Sequence, residues 1–102
     1  MDEKNVIELL NLVGRQWTLP VLDELARGAR SHNDLARAID ANHQQLARVL
    51  RPLVSKHLVH RKVHEASPPI RVYYMLTPRG KAVLACCCRF RTLAAGELDD
   101  AM

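Results

Sequence analysis

The sequence predicts a mostly helical α+β fold, and three observations carry that expectation. Apolar residues recur at helical spacing from Val6 to Val54, alternate in two stretches between Val59 and Leu76, and return to helical spacing from Val83 to Leu93. Residues suited to capping helices stand at the starts of the helical stretches. The 102 residues, 48% apolar and 25% charged, suit a single globular core and leave little room for a second.

The first helix is expected to open at Asn5, with Glu8 three residues on to close a capping box, and to end at Gly14. Val6, Leu9, Leu10 and Val13 form its apolar stripe. A second helix runs from about Thr18 to Gly28, with Pro20 tolerated in its first turn and Val21, Leu22 and Leu25 facing inward. Ser31 caps a short third helix, with Asp34 following, and Leu35, Ala38 and Ile39 point to the core. Asn42 caps a fourth helix with Gln45 in the box position, and Leu46, Val49, Leu50, Leu53 and Val54 form its buried face. Two short helices joined this closely suggest a helix-turn-helix.

Beyond His57 the period becomes that of strands. Val59, Arg61 and Val63 alternate with His60, Lys62 and His64; Ser67-Pro68-Pro69 breaks the run; Ile70, Val72, Tyr74 and Leu76 then alternate again. This reads as a two-stranded β-hairpin with a proline-bearing tip. Thr77-Pro78 caps and opens the last helix, whose stripe is Val83, Leu84, Cys87, Phe90 and Leu93. The order describes a winged helix-turn-helix. Residues 1–102 are read as one DNA-binding domain, with terminal dimerisation helices over 1–14 and 78–96, the helix-turn-helix over 31–57 and the wing over 58–77.

Charge is unevenly spread. The chain carries a net +4, but residues 27–91 hold thirteen Lys or Arg against Asp34, Asp40 and Glu65, while both ends are acidic. A basic middle is the footprint of a phosphate-bearing partner, and a solvated basic face is the plainer alternative. No apolar run approaches the ~20 residues needed to span a bilayer. Met1-Asp2-Glu3-Lys4-Asn5 is acidic and polar where a secretory signal would be basic and then apolar, so a cytoplasmic location is expected. There the adjacent Cys86, Cys87 and Cys88 should remain thiols, since neighbouring residues make poor structural disulfides.

The outward face of the fourth helix, His43, Gln44, Ala47, Arg48 and Arg51, is polar or small and suits a major groove, although a solvated surface helix would look similar. Arg48 and Arg51 lie one turn apart, so one could read a guanine edge while the other meets phosphate. In the wing, Arg71 flanks the tip and is placed for the minor groove or phosphate, with Lys62 and His64 beside it. Arg61 shares a face with Val59 and Val63, which favours an ion pair or a snorkelling stem. With the helix-start residues Ser31 and Asn42, all of these except Arg61 are the candidate DNA contacts, and double-stranded DNA is the expected partner.

Other chemistries fit less well. His57, His60 and His64 with the cysteines invite a metal, but consecutive helical cysteines point about 100° apart and cannot easily converge on one ion. Cys87 suits a small core residue, and Cys88 beside Arg89 and Arg91 is a possible redox thiol. No glycine-rich phosphate loop, paired carboxylates or nucleophile-base set is present, so no catalytic residue and no cofactor are expected. A winged helix turned protein-interaction module remains the rival, since fold does not fix function.

Three segments resemble the HxlR family of bacterial winged-helix regulators, relatives of the MarR group. Gly14-Arg15-Gln16-Trp17-Thr18-Leu19-Pro20 is similar to the family's G-G-K-W-T-L-P signature. Leu46, Leu50, Leu53 and Leu58-Val59 fall on its spaced leucines. Pro68-Pro69, Arg71-Val72, Tyr74, Leu76-Thr77-Pro78 and Gly80 resemble its P-P-R-V-E-Y-S-L-T-P-x-G wing motif, and the match covers roughly residues 4 to 95. Four positions depart from the pattern. Lys4 stands where many members place a redox-sensing cysteine, His57 where glycine usually ends the recognition helix, Pro52 lies inside that helix, and Ile70 follows the proline pair as an insertion.

The resemblance implies a DNA-binding transcriptional regulator, with repression the usual mode. It implies a homodimer joined through Val6, Leu9, Leu10, Val13, Val83, Leu84, Cys87, Phe90 and Leu93, on an inverted-repeat operator with half-sites ~10 base pairs, or a multiple, apart. With the usual sensing cysteine missing, a small-molecule effector is the favoured switch. Arg15, Trp17, Lys81, Arg89 and Arg91 are the candidate residues for a planar or anionic metabolite.

Overall fold

The computed structural model describes residues 3–64 and 68–96. Met1, Asp2, Glu65, Ser67 of the expected hairpin tip and the acidic carboxyl-terminal residues lie outside the described residues. Helix α1 spans Glu3–Val13 and α2 Thr18–Ala26; strand β1 is Arg30–Ser31; α3 spans His32–Ile39 and α4 His43–Ser55; strands β2 and β3 are Val59–His64 and Arg71–Leu76; α5 spans Pro78–Ala94.

Helix α1 begins two residues earlier than expected. Glu3 in its first turn complements the positive end of the helix dipole, so Asn5 lies inside the helix and is not its cap. Gly14 follows, and the chain turns into α2 through Trp17, whose backbone is left-handed at φ 76°. The buried Thr18 hydroxyl donates to the Leu12 carbonyl at 2.9 Å, fastening the end of α1 to the start of α2. Only Leu12 of α1 is buried in the core.

The capping expectations for α3, α4 and α5 hold. Ser31 Oγ accepts from the Asp34 backbone N–H, both halves of the Asn42–Gln45 capping box are formed, and Thr77 Oγ1 accepts from the Gly80 N–H. Asp40, left-handed at φ 55°, ends α3, and the Ala41 N–H returns to the Ala36 carbonyl. Pro52 does not stop α4, which runs on to Ser55. His57 takes the left-handed backbone that glycine would otherwise supply, at φ 63°, while the Leu58 N–H bonds the Leu53 carbonyl.

The sheet has three strands, in the order β1-β3-β2, both pairs antiparallel. The expected hairpin is present, with Val59 opposite Leu76 and His64 opposite Arg71. Strand β1 adds the unexpected third member, pairing Arg30 with Tyr74 and Ser31 with Tyr73. The core gathers Val21, Leu22, Leu35, Leu46, Leu53, Leu58 and Val59, all fully buried. Ala38, expected to face inward, is exposed, and Ala36 is buried in its place. Packing the Leu46-Leu50-Leu53 ridge inward necessarily turns the opposite ridge of α4 to solvent.

Candidate nucleic-acid interface

That outward ridge carries His43, Gln44, Ala47, Arg48 and Arg51, all exposed. The residues offered by the sequence as DNA contacts thus share one exposed surface on α4. At its start, Nδ1 of His43 lies 2.9 Å from Nδ1 of His32, with the rings stacked at a centroid separation of 4.9 Å. Burial, and next the neighbouring His43, hold the His32 imidazole below the ordinary histidine value. Ser31 and Asn42 stand at the same end, but their side-chain oxygens are engaged as helix caps.

The wing places Lys62, His64 and Arg71 on exposed backbone positions, with Lys62 opposite Tyr73. Of the two roles expected for Arg61, an ion pair or a snorkelling stem, the first is not formed among the described residues. Exposed and directly opposite Tyr74, Arg61 lines a cleft between α4 and the wing. Ion pairs engage other cations: Arg30 with Glu24, Arg37 with Asp34, Lys56 with Glu8 and Arg91 with Asp23. Arg48, Arg51, Lys62 and Arg71 enter none among the described residues, which leaves their charge available to an anionic partner.

The candidate effector residues line no common cleft within one chain. Arg15 and Trp17 line a cleft of about 290 Å³ with Leu12, Thr18, Gln45, Arg48 and Val49, between the α1–α2 turn and α4. Lys81, Arg89 and Arg91 sit on α5 and line no part of it; Arg91 is held by Asp23 through contacts of 2.9 and 2.7 Å. Arg48, a candidate base contact, shares this cleft, a proximity that sequence spacing does not reveal.

The terminal-helix stripes divide. Val6, Leu10, Phe90 and Leu93 are exposed, Leu9, Val13 and Val83 are half-buried, and Leu84 and Cys87 are buried within the chain itself. The last two pack within their own chain, on the side of α5 that lies against α2, although Cys87 also lines the groove described next. Ile7, missed in the sequence, is 53% exposed beside Leu10. An apolar groove of about 340 Å³ runs between the helices, lined by Leu10, Val13, Leu19, Cys87, Phe90 and Ala94 among others. Burial pushes the Cys87 thiol up, against the pull of Arg91, while Cys86 and Cys88 are exposed. Among the described residues no group of three or more His, Cys, Asp or Glu could hold a metal ion, and no helix is long and apolar enough to cross a membrane.

Five helices with a helix-turn-helix over α3 and α4, a β2–β3 wing and an exposed basic ridge on α4 define a winged helix-turn-helix protein. The chain belongs to the HxlR-like helix-turn-helix family, whose profile matches residues 12–100. It is 38% identical over 76 residues to an uncharacterized HTH-type transcriptional regulator of Methanothermobacter thermautotrophicus, covering 74% of this chain and 57% of that protein. A similar regulator of Mycobacterium bovis is 38% identical over 84 residues, covering 82% of this chain and 52% of its own. The chain thus spans little more than half the length of these curated relatives. Among solved structures, a MarR-family transcriptional regulator from Enterococcus faecalis superposes with a TM-score of 0.79 at 30% identity, covering 98% of this chain and 94% of that one. The diamide-treated transcriptional regulator YodB from B. subtilis gives 0.83 at 25% identity, covering 94% of each chain.

Proposed function

We propose that this protein is a cytoplasmic transcriptional regulator that binds double-stranded DNA as a homodimer, as a repressor released by a small-molecule ligand. The observation that carries the DNA reading is the exposed α4 ridge, on which Arg48 and Arg51 point outward without ion-pair partners among the described residues, flanked by a basic wing. The regulatory role is supported by the curated relatives, which are named transcriptional regulators. The dimer is supported by the exposed Ile7, Leu10, Phe90 and Leu93 around an apolar groove, a surface that a second copy would remove from water.

For the ligand, the support is the Arg15–Trp17–Arg48 cleft. A planar anion there would stack on the indole and draw Arg48 away from a base edge, so ligand and DNA would compete for one guanidinium. The test of DNA binding is the slope of log affinity against log salt on duplex DNA. A steep negative slope is expected, because neutralising phosphates releases counterions; a flat line would replace this reading with a protein-interaction module.

A further inference from the structure

We propose that Arg51 and Arg61 together seat one phosphodiester of the duplex backbone in the cleft between α4 and the wing, an inference that rests on the DNA-binding reading above. The cleft has a volume of about 330 Å³ and is lined by His32, Ala47, Leu50, Arg51, Val54, Arg61 and Tyr74. Its floor is apolar and aromatic, its rim carries two guanidinium groups, and no carboxylate lines it.

Each arginine reaches the cleft from a different element. Arg51 lies one turn beyond Ala47 on the outward ridge of α4. Arg61 comes from β2, held in register opposite the buried Tyr74, which is itself paired on its other side with Arg30 of β1. Both arginines are exposed and neither has a hydrogen bond or ion pair among the described residues. Two unneutralised guanidiniums at one opening repel each other, a cost that an anion between them removes. Guanidinium presents parallel N–H donors that match the oxygens of a phosphate, so the chemistry favours that anion.

Duplex geometry supplies the phosphate. With α4 in a major groove and the hairpin over the adjacent minor groove, the only part of the DNA between them is the single sugar-phosphate strand that separates the two grooves. The cleft faces that strand. The seat carries no sequence information; it fixes how far α4 sinks and so which bases Arg48 meets.

The test uses a duplex selected by the full chain from a random pool, then a panel of that duplex carrying one neutral methylphosphonate at a time. The wild type is expected to lose affinity at several positions. Arg61→Gln and Arg51→Gln should each become insensitive at the same single position in each half-site, Arg61→Lys should retain part of the sensitivity, and the double variant, losing one phosphate contact in each of two half-sites, should lower the salt slope by about 1.8. Because both side chains are exposed and unpaired, thermal midpoints should be unchanged, which separates the effect from misfolding. If the two glutamine variants erase penalties at different positions, or Arg61→Gln erases none, the shared seat is wrong while DNA binding stands. If the wild type selects no duplex, both readings fall.

Discussion

His32 and His43 face each other Nδ1 to Nδ1 at 2.9 Å, a distance that admits one proton between them and not two. The pair joins the first residue of α3 to the first residue of α4, so it braces the two helices of the reading head.

Acidification should weaken that brace. The His32 value is lowered in the folded chain, first by burial and then by His43, so the unfolded chain takes up its proton at higher pH. The contribution is therefore complete above about 6.5, and is lost as pH falls from there through the lowered folded value. Urea midpoints measured from pH 7.5 down to pH 5 should fall, and His32→Gln should flatten part of that dependence. An unchanged profile in the variant would show that the pair is not the source.

Gly80→Ala should be among the most damaging small substitutions. A Cβ at this position would stand 2.0 Å from the Leu58 carbonyl oxygen and 3.0 Å from its carbon, both backbone atoms that cannot swing aside. A loss of roughly 1–3 kcal/mol or more is expected in chemical denaturation.

His57→Gly should act in the opposite sense. His57 holds φ at 63°, where a side chain crowds its own backbone, so glycine should raise stability by up to about 1 kcal/mol after its greater unfolded-state freedom is offset. A denaturation curve that moves the other way would mean the imidazole makes a compensating interaction.

Leu10→Glu combined with Phe90→Glu should leave a folded monomer. Both side chains are more than half exposed, at 52% and 63%, so the core is untouched while the apolar groove acquires charge. Light scattering at micromolar concentration should show the wild type at twice the mass of the variant, with matching helical circular dichroism.

Arg48→Ala should relax sequence preference by ~1–3 kcal/mol if the guanidinium reads a base, whereas Arg71→Ala should weaken all duplexes more evenly. Comparing affinities on selected and scrambled duplexes separates the two outcomes.

Much of this architecture was legible because it is locally encoded. Ser31, Asn42 and Thr77 mark helix starts through a side-chain oxygen three residues from the donor it satisfies, and the alternation from Val59 onward marks the wing. Asn5 misled because an equally good pattern yields when the preceding acid extends the helix. Strand β1 was invisible, for two residues carry no periodicity and pair only through the distant Tyr73 and Tyr74. The stripes of α1 and α5 were read correctly as apolar, but a stripe does not say what covers it: Leu84 and Cys87 turn into their own chain, while Phe90 and Leu93 do not. The candidate effector residues are separated within one chain, since the basic residues on α5 share a charge with Arg15 without lining the same cleft.

Thr77 gives the wing a closed root. Its N–H bonds the Leu58 carbonyl at 3.1 Å, and its hydroxyl donates to the His57 carbonyl at 2.6 Å while accepting from Gly80 at 2.9 Å. The strands leave and return through this one clasp, so the hairpin beyond it can lengthen or shorten by paired residues without disturbing the helices. Under the proposed DNA-binding role, the reach of the wing and the chemistry of the α4 ridge could then diverge independently, the first by changing loop length and the second by changing the ridge residues.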